Sequence, residues 1–310
     1  MKKFSNHKQT ISRRKFIGAS ATLAAGLSTG VQHVIGAPAI IKSYGKPDSM
    51  INGVQIGTIT YSFRSMPDQS AEATLKYITD AGISAIELMG GPAESFAGIP
   101  QSNVDRGAYN KLNRKSKSTE GLTDPEQKEF DEIKAQMEAH SKKVADWRAS
   151  VSMDKFVELR KMYANAGVKI YAFKPSAFGR GNTDAEIDYG FRAAKALGAS
   201  HGTVEFPGDD QRTKKLGNMA AKHKVFMAYH GHTQQTPTLW DVALQQSKYN
   251  AINLDAGHYV AAGNPSVIDF IDTKHGRIKS MHVKDRQTPA HGQANLQWGQ
   301  GDTPIKEVLQ

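Results

Sequence analysis

Four short apolar runs in the second half of the chain each finish on a side chain that can donate to a metal ion. They are Thr203-Val-Glu205-Phe206, Phe226-Met-Ala-Tyr-His230-Gly-His232, Ile252-Asn-Leu-Asp255-Ala-Gly-His258 and Ile278-Lys-Ser-Met-His282-Val-Lys-Asp285. Glu205, His230, Asp255 and His282 follow one another at intervals of 25, 25 and 27 residues. Such an interval holds one strand, one helix and two connections, and a barrel of eight such units takes about 250 residues. A parallel barrel gathers its strand ends on one face, so residues far apart in sequence converge there. The chain contains no cysteine, which excludes disulfides and thiolate ligands. An ion at such a face takes O and N donors, which leaves Zn, Mn, Mg, Fe or Co.

Each of these residues also has a reading without metal. Glu205 ends an apolar strand, where a carboxylate is costly unless it pairs with a Lys or Arg or binds an ion. Asp255-x-x-His258 sets His258 about one turn past its strand end, but Asp255 could equally cap the following helix. His282 and Lys284 share one side of a strand while Val283 takes the other. A lone histidine there reads as a satisfied core residue; His282 is distinguished by its register with Glu205 and Asp255. Asp285 could orient that histidine or bind substrate. His230 and His232 also share a face, and either could approach the ion, contact substrate or support a ligand from behind. Lys174, closing a strand before Pro175, and Glu87, ending another, are inward candidates that could also be structural.

The elements needed to position these residues can be read along the chain. Val54–Thr60 is the first expected strand, a helix covers about 70–81, and Ala85–Met89 is the second strand. Residues 92–150 break the rhythm with a polar stretch in which 124–147 reads as a charged helix. A connection this long is usually functional or disordered, and its place after a strand puts it near the site. Regular units resume with a helix over 153–166, a strand over 168–173 and a helix over 183–197. Gly167 and Gly198 stand where helices commonly end on glycine. The four runs supply the remaining strands, with helices near 211–222, 238–247 and 265–275. Short apolar strands alternating with helices indicate βαβ units. The expected fold is α/β, a (β/α)8 TIM barrel over residues 54–310 with an insertion at about 92–150, preceded by a linker over 40–53. Only seven strands can be counted, because residues 291–301 read as a loop and 303–310 as the opening of a helix. A seven-stranded parallel wall leaves raw edges, so an eighth strand missing from this sequence is expected.

The formal charge of +10 is concentrated at the start of the chain: the first 39 residues carry Lys2, Lys3, Lys8, Arg13, Arg14 and Lys15 and no acid, which leaves +4 for the rest. No basic stripe with interleaved aromatics follows, so nucleic acid is not an expected partner. Ser12-Arg13-Arg14-Lys15-Phe16-Ile17-Gly18 resembles the twin-arginine export motif, with a weakly apolar stretch to Ile35 and small residues at Gly36-Ala37-Pro38-Ala39 for cleavage. The expected partner is therefore the twin-arginine export machinery and the expected location the periplasm, with membrane anchoring if the segment is retained. Its Gly, Ser, Thr, Gln and His residues make it a poor membrane span.

The set Glu205, Asp255-x-x-His258 and His282-x-Lys-Asp285 resembles the sugar phosphate isomerase/epimerase superfamily with its xylose isomerase-like barrel. The resemblance implies one divalent ion (Mn, Mg, Co or Zn), with Glu205, Asp255 and His282 as three of four ligands. The fourth, a glutamate of the eighth strand, has no counterpart up to Gln310. It also implies that His258 contacts substrate hydroxyls and that Glu205 acts in proton abstraction next to a carbonyl, through an enediolate. We add Lys174 to the expected catalytic residues, His230 to the metal ligands, and His232, Glu87 and Asp285 to the substrate contacts. The expected activity is metal-dependent isomerisation or epimerisation of a sugar or keto-sugar. A lyase or hydrolase using the same ion, or an exported sugar-binding module without catalysis, stands as the alternative, and homo-oligomerisation is left open.

Overall fold

A computed structural model of the chain describes residues 45–310. The twin-arginine segment lies outside them, as does the start of the expected linker. The first described element is a small antiparallel hairpin of β1 (Met50–Ile51) and β2 (Val54–Gln55). Its turn is Asn52-Gly53, with φ of 49° and 84°, the positive pair that a tight two-residue hairpin requires. This corrects the expected first strand. Val54 and Gln55 pair back onto the hairpin, and only β3 (Thr58–Ile59) joins the main sheet.

That sheet has seven parallel strands in chain order: β3, β4 (Ala85–Met89), β5 (Lys169–Lys174), β6 (His201–Glu205), β7 (Phe226–His230), β8 (Asn250–Asp255) and β9 (Ile278–His282). Helices α1 (Ala71–Asp80), α2 (Gly90–Phe96), α3 (Arg106–Lys115), α4 (Asp124–Ser150), α5 (Asp154–Asn165), α6 (Asp184–Ala196), α7 (Asp210–His223), α8 (Asp241–Gln246), α9 (Ala256–Ala261) and α10 (Val267–Lys274) fill the crossovers. A second hairpin, β10 (Asp285–Arg286) with β11 (Asn295–Leu296), and α11 (Ile305–Leu309) follow. None of these helices is long and apolar enough to cross a membrane.

The sheet is curled into a barrel wall, and one contact proves it. Glu87 on β4 and His282 on β9 touch at 2.8 Å. Five inter-strand steps of about 4.8 Å would separate them by roughly 24 Å in a flat sheet. Curling turns one face inward and leaves the other to the helices. Ile86, Leu88, Phe173, Tyr229 and Leu254 bury themselves with Leu75, Phe156, Phe191, Leu216 and Trp240 in a continuous apolar core. Inside the curl the layer is polar: Glu87, Thr203 and Asn253 come from the alternate strands β4, β6 and β8, and Thr203 and Asn253 both donate to Glu87. Layers drawn from alternate strands are how such barrels fill their interior. The fold is thus α/β of the TIM-barrel type, with seven parallel strands in its wall among the described residues.

Residues 90–150 form α2, α3 and α4 between the second and third strands of the wall. Leu112, Phe130 and Ile133 give α3 and α4 a small apolar cluster of their own. The far end of α4 is tied to the wall through Arg148. Its guanidinium donates to the buried carboxylates of Glu94 (3.0 Å) and Glu186 (3.1 Å) and to the Ser176 hydroxyl (2.7 Å). Glu186 also closes the capping box of α6 with Thr183, so one carboxylate serves both the helix start and the α4 anchor.

Candidate metal centre

Strand register delivers the site. Glu205 pairs directly with His230 across β6 and β7, and Asp255 with His282 across β8 and β9. His230 also lies opposite Asn253, two residues before Asp255 on the same side of β8. One donor atom from each of His230, Asp255 and His282 falls within a 4.8 Å cluster; so does one from each of Glu205, His230 and His232. The two triads share His230.

Asp255 is completely buried and uses its oxygens differently. Oδ1 accepts the His258 backbone N–H at 2.9 Å and so caps α9. Oδ2 lies 2.6 Å from the Lys284 ammonium, in an ion pair rather than an aligned hydrogen bond, and 4.0 Å from His282 Nδ1. Both expected roles therefore bear on one carboxylate: Oδ1 caps the helix, and Oδ2, paired with Lys284, is the oxygen turned toward His282. Burial would raise its pKa, but Lys284 and His258 outweigh it and keep Asp255 below the usual carboxylate range.

His282 is held from behind. Its Nε2 lies 2.8 Å from Glu87 Oε2, which leaves Nδ1 facing Asp255. Glu87 also accepts from the Thr203 hydroxyl at 2.5 Å and from Asn253 Nδ2 at 3.3 Å. Burial alone would raise the Glu87 carboxyl, yet these bonds and the charge of His282 hold it down at about 2. A carboxylate donating its charge to the back of a ligating imidazole fixes ring orientation and tautomer. His230 is buried too, and its Nδ1 has no hydrogen-bond partner. Burial, reinforced by neighbouring His282, pushes its pKa down to about 4, so the ring is neutral at pH 7 with a free lone pair. Two imidazoles, one of them with an unpartnered buried nitrogen, and one carboxylate edge suit a divalent cation of borderline character.

Beside this cluster lies a cleft of about 510 Å³, lined by Tyr61, Arg64, Lys174, Glu205, His232 and Lys284 among others. Half-exposed Glu205 accepts from Lys174 Nζ at 2.7 Å on one oxygen and meets His232 Nε2 at 2.9 Å on the other. Partial burial opposes its ionisation, but Lys174, His230 and His232 hold it below the usual range. The ion pair that was the structural alternative for Glu205 is thus present, inside the cleft. His258 sits one layer behind: its ring centroid is 4.7 Å from that of His232, and its Nδ1 faces the Arg286 guanidinium. Burial lowers its pKa to about 4 despite the neighbouring Asp255.

Two expected substrate contacts need correction. Glu87 is fully buried beneath His282 and positions that ring instead of reaching the cleft. Asp285 is also buried; its carboxylate accepts four backbone N–H groups, from Gly299, Gln300, Gly301 and Thr303, and so organises the loop after β11. That neither carboxylate lies in the cleft follows from the barrel interior in one case and loop geometry in the other. Sequence reasoning missed Thr203 and Asn253. The signal was present, since each stands two residues before a strand-end donor and must share its face. Arg64 and Tyr61 were missed because they lie in a turn after β3, outside any periodic pattern.

Fold and site together define an α/β barrel protein with a His/Asp donor cluster at the C-terminal ends of its strands. No protein-family model matches the chain, and no curated protein matches it. Solved structures similar to it include a xylose isomerase domain protein from Planctomyces limnophilus (13% identity, 82% of this chain and 84% of that one, TM-score 0.49). A xylose isomerase-like TIM barrel protein from Mycobacterium smegmatis in complex with magnesium is 13% identical over 82% and 84% of the two chains (TM-score 0.48). A sugar phosphate isomerase/epimerase from Parabacteroides distasonis ATCC 8503 is 15% identical over 84% of each (TM-score 0.45). What those proteins bind or catalyse belongs to them.

Proposed function

We propose that this chain is a metal-dependent isomerase or epimerase of a sugar or keto-sugar. The observation that carries the reading is the convergence of His230, Asp255 and His282, with Glu87 bracing His282 from inside the barrel, next to a cleft containing a carboxylate. His230, Asp255 and His282 would hold the ion, with Glu205 within reach of His230. When bound, a divalent cation there supplies positive charge against the negative charge that develops on oxygen as a carbon next to a carbonyl loses its proton.

The remaining work falls to side chains of the chain itself. Glu205 is the proton acceptor, because among the described residues it is the one carboxylate that lines the cleft. Lys174 keeps it ionised through the 2.7 Å pair and marks which oxygen stays free of a proton in the resting state. His232 on the other oxygen can relay the proton to and from Glu205; redelivery to the neighbouring carbon isomerises the sugar, whereas redelivery to the opposite face of the same carbon epimerises it. His258, braced by Arg286, backs His232 and limits the ring positions available to it.

Metal analysis of the purified protein tests the first half of this reading and should find about one divalent ion per chain. Deuterium exchange from D2O into a panel of sugars and keto-sugars tests the second. Glu205→Gln should abolish exchange while the ion and the fold are retained; exchange that persists in this variant, or that proceeds in chelated protein, sinks the mechanism. The Ser12-Arg13-Arg14-Lys15-Phe16 segment supports export through the twin-arginine route, which fractionation of cells with Arg13→Lys/Arg14→Lys would check.

A further inference from the structure

Among the described residues, the cleft holds one Lys or Arg with no acidic partner. Lys174 is paired with Glu205 and Lys284 with Asp255. Arg64, at the mouth, has no carboxylate within ion-pair distance among the described residues, although it lines the same cleft. It is nevertheless held in place. Its guanidinium lies 4.6 Å over the Tyr61 ring and its Nη1 donates to the Tyr61 carbonyl at 3.2 Å. The turn beneath is pinned by Gln69, whose amide donates to the carbonyls of Phe63 (2.9 Å) and Met66 (2.7 Å), and by Phe63 packing on Tyr77 of α1 at 5.9 Å. Stacking and the single bond to Tyr61 leave the Nε/Nη2 edge of the guanidinium without a protein acceptor. That edge presents two parallel donors, the arrangement that fits the two oxygens of a carboxylate.

Charge balance points the same way. The two lysine pairs cancel, and Glu87 lies deep behind His282, turned from the cleft. A divalent ion in the donor cluster then adds two positive charges to a cleft whose mouth already carries Arg64. A neutral sugar compensates none of this. A sugar acid does, with its carbonyl end toward the strand ends and its carboxylate at the turn after β3. A cleft of this volume is within the small-molecule range of roughly 300–1,000 Å³.

We infer that Arg64 is a specificity determinant that selects a substrate carrying a carboxylate, so that the cleft takes a sugar acid in preference to a neutral sugar. The inference deepens the isomerase/epimerase reading and rests on it for the orientation of the substrate. Binding decides it without turnover: calorimetry on the Mn-loaded chain with D-glucuronate, D-galacturonate and D-fructuronate, against D-glucose and D-glucose 6-phosphate. At least one sugar acid should bind about tenfold or more tightly than glucose, the effect of one charge-assisted bidentate contact. Arg64→Gln should remove that advantage, and Arg64→Lys should restore only part of it, because a lysine keeps the charge and loses the fork. Arg64 is exposed, so both variants should fold, and their thermal melts check this. An acid panel that never exceeds glucose, an advantage that survives Arg64→Gln, or a stronger preference for glucose 6-phosphate than for every acid overturns the inference. Acid discrimination without deuterium exchange into any sugar would instead sink the isomerase reading and leave the carboxylate site standing.

Discussion

Replacing Glu87 by Gln tests whether the barrel interior is wired to the donor cluster. The substitution keeps size and shape but removes the charge that accepts from His282, Thr203 and Asn253. Folding holds this carboxyl at about 2, against 4.5 when unperturbed. A fully buried carboxyl lowered by that much contributes about 3 kcal/mol to stability at pH 7. The sign follows from the direction: a group whose folded pKa is depressed stabilises above its unfolded pKa, and the contribution is lost as pH falls from about 4.5 toward 2. About 1.4 kcal/mol should remain at pH 3. Urea unfolding of chelated protein should therefore show a gap between wild type and Glu87→Gln that is largest at pH 7 and less than half as large at pH 3. The variant should also bind a divalent ion about 10–100-fold more weakly, because the glutamine amide no longer fixes the tautomer that points the His282 Nδ1 lone pair at Asp255. A gap as large at pH 3 as at pH 7 would refute the charge argument. Unchanged metal affinity would refute the link from Glu87 to the ion.

Two further outcomes follow from the same geometry. Arg148→Met leaves Glu94 and Glu186 buried without their cation; removal of one partner from such a pair costs about 3–5 kcal/mol, so denaturant unfolding showing a loss below about 1 kcal/mol would mean that α4 is not anchored there. Lys284→Met removes the ammonium that occupies Asp255 Oδ2. For a half-exposed lysine that is worth about 1 kcal/mol, so competition with a fluorescent chelator should show about fivefold tighter metal binding; weaker binding would mean that Lys284 supports the ion site rather than competes for it.

The strand ends were legible because barrel geometry imposes a period, and Glu205, His230, Asp255 and His282 kept to it. The length of α4 was nearly legible as well, from charge and helix formers alone. Contacts across the barrel were not. Nothing in the sequence separation of Glu87 and His282 announces a 2.8 Å contact; only the curl of the sheet brings them together, so Glu87 read as a cleft residue. Asp285 misled for a related reason. Its acceptors are satisfied by backbone N–H groups of the loop at 299–303, and backbone donors leave no trace in residue type. The first strand was misplaced although the Asn52-Gly53 turn was in plain view, because the apolar run continuing through Val54–Thr60 hid the hairpin.

The polarity of the barrel interior is the strongest reason to read the strand-end cluster as functional. An interior layer needs only volume, and Val, Ile or Leu would fill it at no electrostatic cost. Here it carries a fully buried carboxylate, which is tolerable only with several donors around it. Those donors are chosen so that the charge leaves the layer in one direction. Thr203 and Asn253 hold Glu87 in place from β6 and β8, and the remaining strong bond goes up to His282, into the plane of Asp255 and His230. A structural ion pair would place its cation beside Glu87 and end there. This one instead passes its influence to an imidazole whose other nitrogen faces the Asp255 carboxylate. The chain thus accepts a buried charge at the one level of the barrel from which it can set the tautomer of a ligand.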